Sequence, residues 1–376
     1  MKLSTSSADL LAQLQSVSRV ASTRSAVQAL SGVQVAATGE GVELRATDME
    51  VALRVPLTAE VTREGTVVLP ARLLLDVARS LPKGADSVSL ELRPEQQDVE
   101  VIAGHAKFHL RTLRAEDFPP LPNRAGAPES GDTVVTVPAA AFVETIDKVA
   151  KSASRDETRP ILTGILVSAN GADLRMVATD SYRLSVKETT LESPLDGSFE
   201  ANVPARALDE LRSVVAATGA EQIRIGVRAN QVVFEIGGAV LSSRLIDGQF
   251  PNYNALLPET YEHQLRISGE ELGDVVKRIS LMAQKNAPLR LSFSEGELTV
   301  SAQTPDVGEA SEPLPVPFAG EPFEIGFNPE FLRDGLDSLG SGDLVLKLIS
   351  PLRPGLIEGA DDSGFLYLIM PIRLNV

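Results

Sequence analysis

The sequence lacks cysteine and tryptophan and contains only three histidines. Without cysteine, the chain cannot form a disulfide, a thiolate metal site or a thiol nucleophile. His105 and His109 are four residues apart, but Phe108 and Leu110 alternate with them and predict a strand, to which the helical spacing of a zinc site does not apply. We therefore predict no metal ligands and no cofactor.

Motifs of enzyme chemistry are also missing. The chain has no phosphate-binding loop, no Gly-x-Gly-x-x-Gly after a strand and no Gly-x-Ser-x-Gly elbow. The acidic pairs Glu270-Glu271 and Asp361-Asp362 could supply catalytic carboxylates, but such pairs at helix starts and in loops are usually solvated. We predict no catalytic residues, and a hydrolase that uses surface carboxylates is the least favoured alternative.

Long apolar runs and excess positive charge are absent as well. No run approaches the length of a membrane span, and the first residues resemble no secretory signal, so we expect a cytoplasmic protein without a membrane partner. The formal net charge is −16. Because basic groups supply most of the affinity for duplex DNA, any DNA function must account for this charge.

What the sequence does contain is an internal repeat. Residues 30–55 match residues 162–186 with one gap, and Ala46-Thr47-Asp48 corresponds to Ala178-Thr179-Asp180 at constant spacing. A third, more divergent copy includes Leu272, Val276 and Ile279. A chain of 376 residues is long enough for three such units.

Each repeat shows the same order of hydrophobic periods. Apolar residues three and four apart predict first helices over 9–21, 141–153 and 271–283, starting near Ser7, Pro138 and Ser268. A proline near the first helical position, at Pro70, Pro204 and Pro329, predicts second helices within 69–81, 203–215 and 327–339. About eight short alternating strands complete each unit, which predicts the α+β class, with two helices packed on antiparallel sheets. We expect domains at 1–122, 130–254 and 255–376, with linkers near 122–132 and 252–262.

Three motifs carry a family resemblance: ATDSYRLSV (178–186), LIDGQFPNYNALLP (245–258) and YLIMPIRL (367–374). Together they resemble the bacterial DNA sliding clamp family, the beta subunit of DNA polymerase III, and the resemblance covers the whole chain. It implies three repeated DNA-clamp domains that form a ring as a head-to-tail homodimer. The implied function is that of a processivity factor that encircles duplex DNA and tethers the replicative polymerase.

The resemblance also implies the partners. These are duplex DNA, held topologically and without sequence specificity, the DNA polymerase III catalytic subunit, the clamp-loader complex and other proteins with short clamp-binding peptides. Twelve helices spaced about 10 Å apart would enclose a circle roughly 38 Å wide between helix axes, which admits a duplex. A monomeric peptide-binding adaptor built on the same repeat is the main alternative.

A sliding ring needs only weak phosphate contacts, which reconciles the acidic charge with DNA. We expect a mildly basic lining, although cations also favour the last helical turn for structural reasons. Arg24 matches a basic position of the family. The candidate DNA contacts are Arg24, Arg72, Arg79, Lys148, Lys151, Arg155, Arg206, Lys277 and Arg278.

The resemblance places a peptide-binding pocket between the second and third domains. Its implied positions are Leu162, Thr179, Ser181, Tyr182, Arg183, Leu184, Pro251, Leu256, Leu368, Met370, Pro371, Ile372, Arg373 and Leu374. Leu368, Met370, Ile372 and Leu374 alternate as on one strand face, and Thr179 with the Arg183 backbone is expected to fix a peptide's register. Ser181 and Tyr182 replace the Gly-His of well-known members, Ala255 replaces a frequent arginine, and Asn375 and Val376 extend the usual terminus.

The resemblance finally implies a subunit interface between the first and third domains. The family places apolar interface residues at positions that match Leu110 and Leu281, next to Phe108 and Met282. A head-to-tail contact that closes after two subunits gives a ring.

Overall fold

The structure, a computed structural model, describes residues 1–122, 124–125, 133–284, 287–361 and 363–374. Most of the first predicted linker, the predicted start of the second domain at 130, Asp362, Asn375 and Val376 lie outside these residues. The described chain forms two compact units. Unit 1 comprises 1–140, 195–198 and 206–245, and unit 2 comprises 141–194, 199–205 and 246–376. No described helix is long and apolar enough to cross a membrane.

In all three repeats a strand that the sequence did not predict precedes the first helix, and the other elements follow in the predicted order. In the first repeat these are β1 Lys2–Ser6, α1 Ser7–Val17, β2 Gly32–Thr38, β3 Gly41–Thr47, β4 Val51–Leu57, β5 Ala59–Arg63, β6 Gly65–Pro70, α2 Ala71–Ser80, β7 Ser87–Arg93, β8 Asp98–Ala103 and β9 Ala106–Arg111. In the second they are β10 Thr133–Pro138, α3 Ala139–Val149, β11 Gly164–Asn170, β12 Asp173–Thr179, β13 Arg183–Thr190, β14 Phe199–Pro204, α4 Ala205–Thr218, β15 Gln222–Val227, β16 Gln231–Ile236 and β17 Ala239–Arg244. In the third they are β18 His263–Ser268, α5 Gly269–Ile279, β19 Leu289–Ser294, β20 Glu297–Thr304, β21 Gly308–Pro315, β22 Phe323–Phe327, α6 Pro329–Leu339, β23 Asp343–Leu348, β24 Gly355–Gly359 and β25 Phe365–Ile369.

The first helices begin where the sequence predicts but end earlier. The hydroxyls of Ser6 and Ser268 cap α1 and α5 by accepting backbone N–H groups. Each first helix ends about four residues before its predicted end, and α3 and α5 are followed by short 3-10 turns. The apolar period continued through these turns, so it overestimated the helix length. The prolines precede α2 and α4 and lie at the start of α6, as predicted.

Antiparallel sheets connect successive repeats within each unit, which confirms the predicted α+β class. In unit 1, the strand order β10-β15-β16-β17-β4-β3-β2-β6 joins four strands of the second repeat to four strands of the first. In unit 2, the order β14-β11-β12-β13-β25-β24-β23-β18 joins the third repeat to the second in the same way. Two further sheets, β5-β1-β7-β8-β9 and β21-β20-β19-β22, end in the edge strands β9 and β21.

Helix α6 packs closely on strand β25 in the core of unit 2. A Cβ atom on Gly335 would lie 2.5 Å from two ring carbons of Tyr367. The Tyr367 ring is buried, and its hydroxyl donates to the backbone oxygen of Phe331 at 2.7 Å. The ring therefore cannot move aside, and glycine is required by this contact rather than by the helix.

We predict that Gly335→Ala lowers the free energy of unfolding by roughly 1 to 2 kcal/mol, because overpacking outweighs the helix propensity gained. Gly273→Ala is the matched control in α5, where an added Cβ meets no atom within 4 Å. The free energy of unfolding of the Gly273→Ala control should rise by up to about 1 kcal/mol. Urea unfolding measures both, and a Gly335→Ala protein as stable as the control would contradict this packing.

Candidate partner-binding site

The turn between β12 and β13 is built by its own polar side chains. Oδ1 of Asp180 accepts the backbone N–H groups of Tyr182 and Arg183 at 2.9 and 3.0 Å. The hydroxyl of Thr179 donates to the backbone oxygen of Arg183 at 2.7 Å and accepts the N–H of Ser181. Ser181 adopts a φ of 79°, which a side chain tolerates only with such support.

The first repeat contains the same turn. Oδ1 of Asp48 accepts the N–H of Val51, the hydroxyl of Thr47 donates to the backbone oxygen of Val51, and Met49 has a φ of 80°. The repeated Thr-Asp pair is therefore a turn signal. Thr179 and the Arg183 backbone already bond within this turn, and their expected contact with a peptide stays a prediction.

Arg183 is buried and anchors this turn to helix α6. Its guanidinium bonds to Asp180 at 3.0 Å and to Asp334 at 2.6 Å, and it donates to the backbone oxygen of Lys151. It also lies 4.3 Å from the centre of the Phe331 ring. Burial lowers the pKa of Arg183, but Tyr367, Asp334 and Asp180 raise it by more, so the net shift is upward. Arg183 positions the site rather than offering its charge to a ligand.

An apolar cluster covers the face of the sheet beside this turn. Leu184 of β13 and Leu368 of β25 lie opposite each other in the ladder, and Leu356 of β24 lies opposite Leu368. Val177, Val186 and Tyr253 complete the buried cluster, against which Phe250 and Leu257 pack. Of these, sequence reasoning found only Leu184 and Leu368. The apolar residues of β12 and β13 could have revealed Val177 and Val186 as well.

Exposed apolar side chains surround this cluster. Tyr182 is 59% exposed, Leu256 51% and Met370 41%. The backbone N–H of Met370 donates to the oxygen of Tyr182 at 2.9 Å, which joins two parts of the rim. Large apolar side chains exposed together mark a surface suited to a partner.

The last described residues leave the sheet, which corrects the predicted alternation. Strand β25 ends at Ile369, and the N–H of Ile372 instead donates to the oxygen of Gly326 at 2.7 Å, at the edge of β22. Leu374 also lies against Gly326, and it lines a separate cavity of about 620 Å³ with Arg373. Pro371, which lacks an N–H, lies where the chain departs.

The remaining pocket positions are less closely connected to the cluster. Leu162 is buried in a 3-10 turn before β11, and Pro251 is exposed next to Phe250. The hydroxyl of Ser181 accepts from Arg159 at 3.1 Å. The structure thus gathers Tyr182, Leu184, Leu256, Leu368 and Met370 into what we call the partner site, and the other predicted positions, among them Ile372, Arg373 and Leu374, stay predictions.

The candidate DNA contacts fall into two groups. Lys148 donates to the backbone oxygens of Ser338 and Leu339 at the end of α6, and Lys151 bonds to Asp337 at 3.0 Å. Within the described part of the chain, ion pairs also engage Arg79 with Asp76, Arg206 with Asp48 and Arg278 with Glu312. No described residue forms an ion pair with the exposed side chains of Arg24, Arg72, Arg155 and Lys277.

The predicted interface residues differ in exposure. Leu281 is 70% exposed in the turn after α5, Met282 packs partly on the core of unit 2, and Phe108 is half-buried. Leu110 is already buried within the chain. The predicted interface role of Leu110 therefore stays a prediction, with most of its side chain already covered by its own subunit. Among the described residues, no group of three or more acidic or histidine side chains could hold a metal ion.

We predict that Asp334→Asn lowers the free energy of unfolding by roughly 1 to 3 kcal/mol, because it removes one of the two carboxylates that compensate the buried charge of Arg183. Asp337→Asn, three residues along the same helix, removes only an exposed pair with Lys151 and should cost less than about 1 kcal/mol. Chemical denaturation compares the two variants. Equal losses would show that Arg183 does not depend on Asp334.

Comparison with known proteins places the whole chain in one family. Residues 1–122, 136–252 and 254–373 match the N-terminal, central and C-terminal domains of the DNA polymerase III beta subunit. The beta sliding clamp of Streptomyces coelicolor is 33% identical over 359 residues, which cover 92% of each chain.

Solved structures agree with these matches. A Caulobacter crescentus beta sliding clamp, solved with PEG bound to its proposed beta-motif tethering region, matches with a TM-score of 0.90 at 30% identity and covers 100% of this chain and 99% of that one. A Pseudomonas aeruginosa sliding clamp bound to griselimycin matches with a TM-score of 0.88 at 29% identity over 100% of both chains. This chain therefore belongs to the DNA polymerase III beta subunit family, the sliding clamps that act as processivity factors in DNA replication.

Proposed function

We propose that this sliding clamp works as a ring-shaped, head-to-tail homodimer that encircles duplex DNA. The observation that carries the proposal is a pair of unfilled sheet edges. Strand β4 of the first repeat pairs with β17 of the second, and β13 of the second pairs with β25 of the third. The equivalent strands that remain are β21 of the third repeat and β9 of the first, and both are edges.

A second subunit would supply a partner strand for both of these edge strands. Pairing β21 of one subunit with β9 of the next repeats the connection used twice within the chain, and two such contacts close a ring. The strands also differ in charge, since β9 carries Lys107 and Arg111 and β21 carries Glu309 and Glu312. Complementary charge favours this pairing over a contact between like edges.

We expect Leu281→Asp to convert dimers into monomers, because the interface would have to desolvate an unpaired carboxylate. Leu352→Asp is the control, since Leu352 is 63% exposed in a loop of the same unit. Sedimentation at micromolar concentration measures the mass of each variant. A Leu281→Asp protein that stays dimeric would refute the interface, and a monomeric control would make the effect nonspecific.

Within this assembly we propose three clamp domains at 1–122, 130–254 and 255–376, supported by the repeats and the family matches. We also propose that the chain catalyses no reaction and acts in the cytoplasm, where it reaches the chromosome. Glu270 and Glu271 lie in the first turn of α5, where the helix dipole accounts for them without catalysis.

We further propose that the partner site binds short extended peptides from the DNA polymerase III catalytic subunit, the clamp-loader complex and other clamp-binding proteins. The exposed rim of Tyr182, Leu256 and Met370 above buried Leu184 and Leu368 supports this role. Apolar anchors buried there contribute about 1.5 to 3 kcal/mol each. The Caulobacter crescentus relative, which holds PEG at its proposed beta-motif tethering region, is consistent with a ligand-binding surface in this family.

We predict that Met370→Ala weakens binding of a polymerase-derived peptide, with a Gln and two or three apolar residues, about tenfold, or roughly 1.4 kcal/mol. Met49→Ala is the matched control, because Met49 is similarly exposed but lies in unit 1. Calorimetry on folded dimers compares both with the unmodified protein. Equal affinity for the Met370→Ala and unmodified proteins would refute this site.

For DNA we propose weak, salt-sensitive contacts through the unpaired basic side chains of Arg24, Arg72, Arg155 and Lys277 rather than through Lys148 and Lys151. The latter two are held by acceptors of α6. A phosphate contact by either lysine would have to break these bonds. A phosphate contact by the exposed basic side chains would break no ion pair with a described residue. This choice also fits the net charge of −16, since few direct contacts are needed once DNA is enclosed.

We expect Arg24→Glu, Arg72→Glu and Lys277→Glu in combination to weaken direct binding to linear duplex DNA at low salt, while the mass and unfolding midpoint stay unchanged. The double variant Lys148→Glu, Lys151→Glu should instead lower the unfolding midpoint, because it breaks contacts with α6. Unchanged binding of linear duplex DNA by the triple variant would assign the DNA contact to other residues. The monomeric adaptor alternative predicts that the unmodified protein is not retained on nicked circular DNA.

A further inference from the structure

The two helix junctions that the chain makes internally follow one plan. The residue two positions after the first helix of a repeat is Arg19, Lys151 or Leu281. Arg19 pairs with Glu210 at 3.0 Å, and Lys151 lies 3.7 Å from Asp334. Both acids are the sixth residue of the second helix in the following repeat. Each internal junction therefore places a base after one helix against an acid on the next.

A turn lies beside the junction in each repeat and joins β3 to β4, β12 to β13 or β20 to β21. Its second residue has a positive φ in every repeat, at Met49, Ser181 and Asp306. The following residue of the second repeat, Tyr182, stacks on Phe331 with ring centroids 6.4 Å apart. Phe331 is the third residue of α6. The equivalent turn residue of the third repeat is Val307, and the third residue of α2 is Leu73.

We propose that Leu73 of one subunit packs against Leu281 and Val307 of the next, which makes the subunit junction an apolar version of the two internal ones. The inference rests on the head-to-tail assembly proposed above and assigns α2 a role in it. All three side chains are exposed, at 47%, 70% and 42% respectively. They are three of the large apolar side chains that the described chain leaves uncovered.

The internal junctions use charged side chains and the subunit junction apolar ones because the two kinds of junction are held together differently. Internal junctions are held by the continuous chain, so a polar contact between a half-exposed base and an acid suffices there. Separate subunits must gain their association energy at the contact itself, and apolar burial supplies it without directional constraints. Asp76, the acid of α2 in the sixth position, pairs instead with Arg79 in its own helix at 3.6 Å.

The absence of cysteine permits a direct test by cross-linking. In the double variant Leu73→Cys, Val307→Cys, a short bis-maleimide should join subunits into covalent dimers. Val27→Cys, Val307→Cys is the negative control, because Val27 is an exposed apolar residue of the same unit as Leu73 but lies outside α2. Tyr182→Cys, Phe331→Cys should cross-link within one chain and confirms that the reagent spans this geometry.

The outcomes separate the inference from the assembly on which it rests. Covalent dimers from the Leu73 pair, with few from the Val27 pair, support the contact. A protein that is dimeric by mass but gives no Leu73 cross-link, while the internal control reacts, overturns the contact and leaves the ring intact. A monomer at micromolar concentration in the absence of reagent, for the unmodified protein and the variant alike, overturns the assembly itself.

Discussion

Backbone pairing between successive repeats is the constraint on which the rest of this structure depends. A single repeat cannot pair both edges of β4 or β13, because the strand on one side of each belongs to the following repeat. The same rule leaves one edge of β9 and one edge of β21 without a partner strand among the described residues. An exposed sheet edge readily adds another strand, so the open ends of the repeat favour a closed assembly over a monomer.

The partner site is a consequence of one of these connections. The pairing of β13 with β25 brings Leu184 opposite Leu368, and these residues come from repeats far apart in sequence. Arg183 fixes the adjoining turn to α6 through Asp180 and Asp334. The buried charges therefore hold the apolar surface in place, while the exposed side chains of the rim remain available to a ligand.

The repeat, the helix starts and the turn signals could be predicted from the sequence because each depends on neighbouring residues. Ser6 and Ser268 cap helices three residues away at most, and Thr-Asp pairs close turns over a similar distance. Leu368 was also identified, because strand alternation is local. The family resemblance supplied the pocket's location, which periodicity alone could not.

The features that the sequence did not predict share one cause, which is a contact with a distant segment. The sequence predicts Lys148 to be a free cation at a helix end, but its acceptors are backbone oxygens of α6. Ile372 continues an alternating pattern in sequence, yet its N–H bonds to Gly326. The paired state of a lysine or the path of a terminal segment depends on which elements meet, and one sequence does not contain that information.

The central claim is that the chain holds DNA by enclosing it. The most direct measurement loads the protein onto nicked circular DNA, washes it at high salt, and then linearises half of the sample. Enclosure predicts that the protein stays on circles, where screening weakens phosphate contacts but cannot open a ring, and leaves the linear DNA from its ends. Equal retention on circular and linear DNA, or loss from both in high salt, would contradict it.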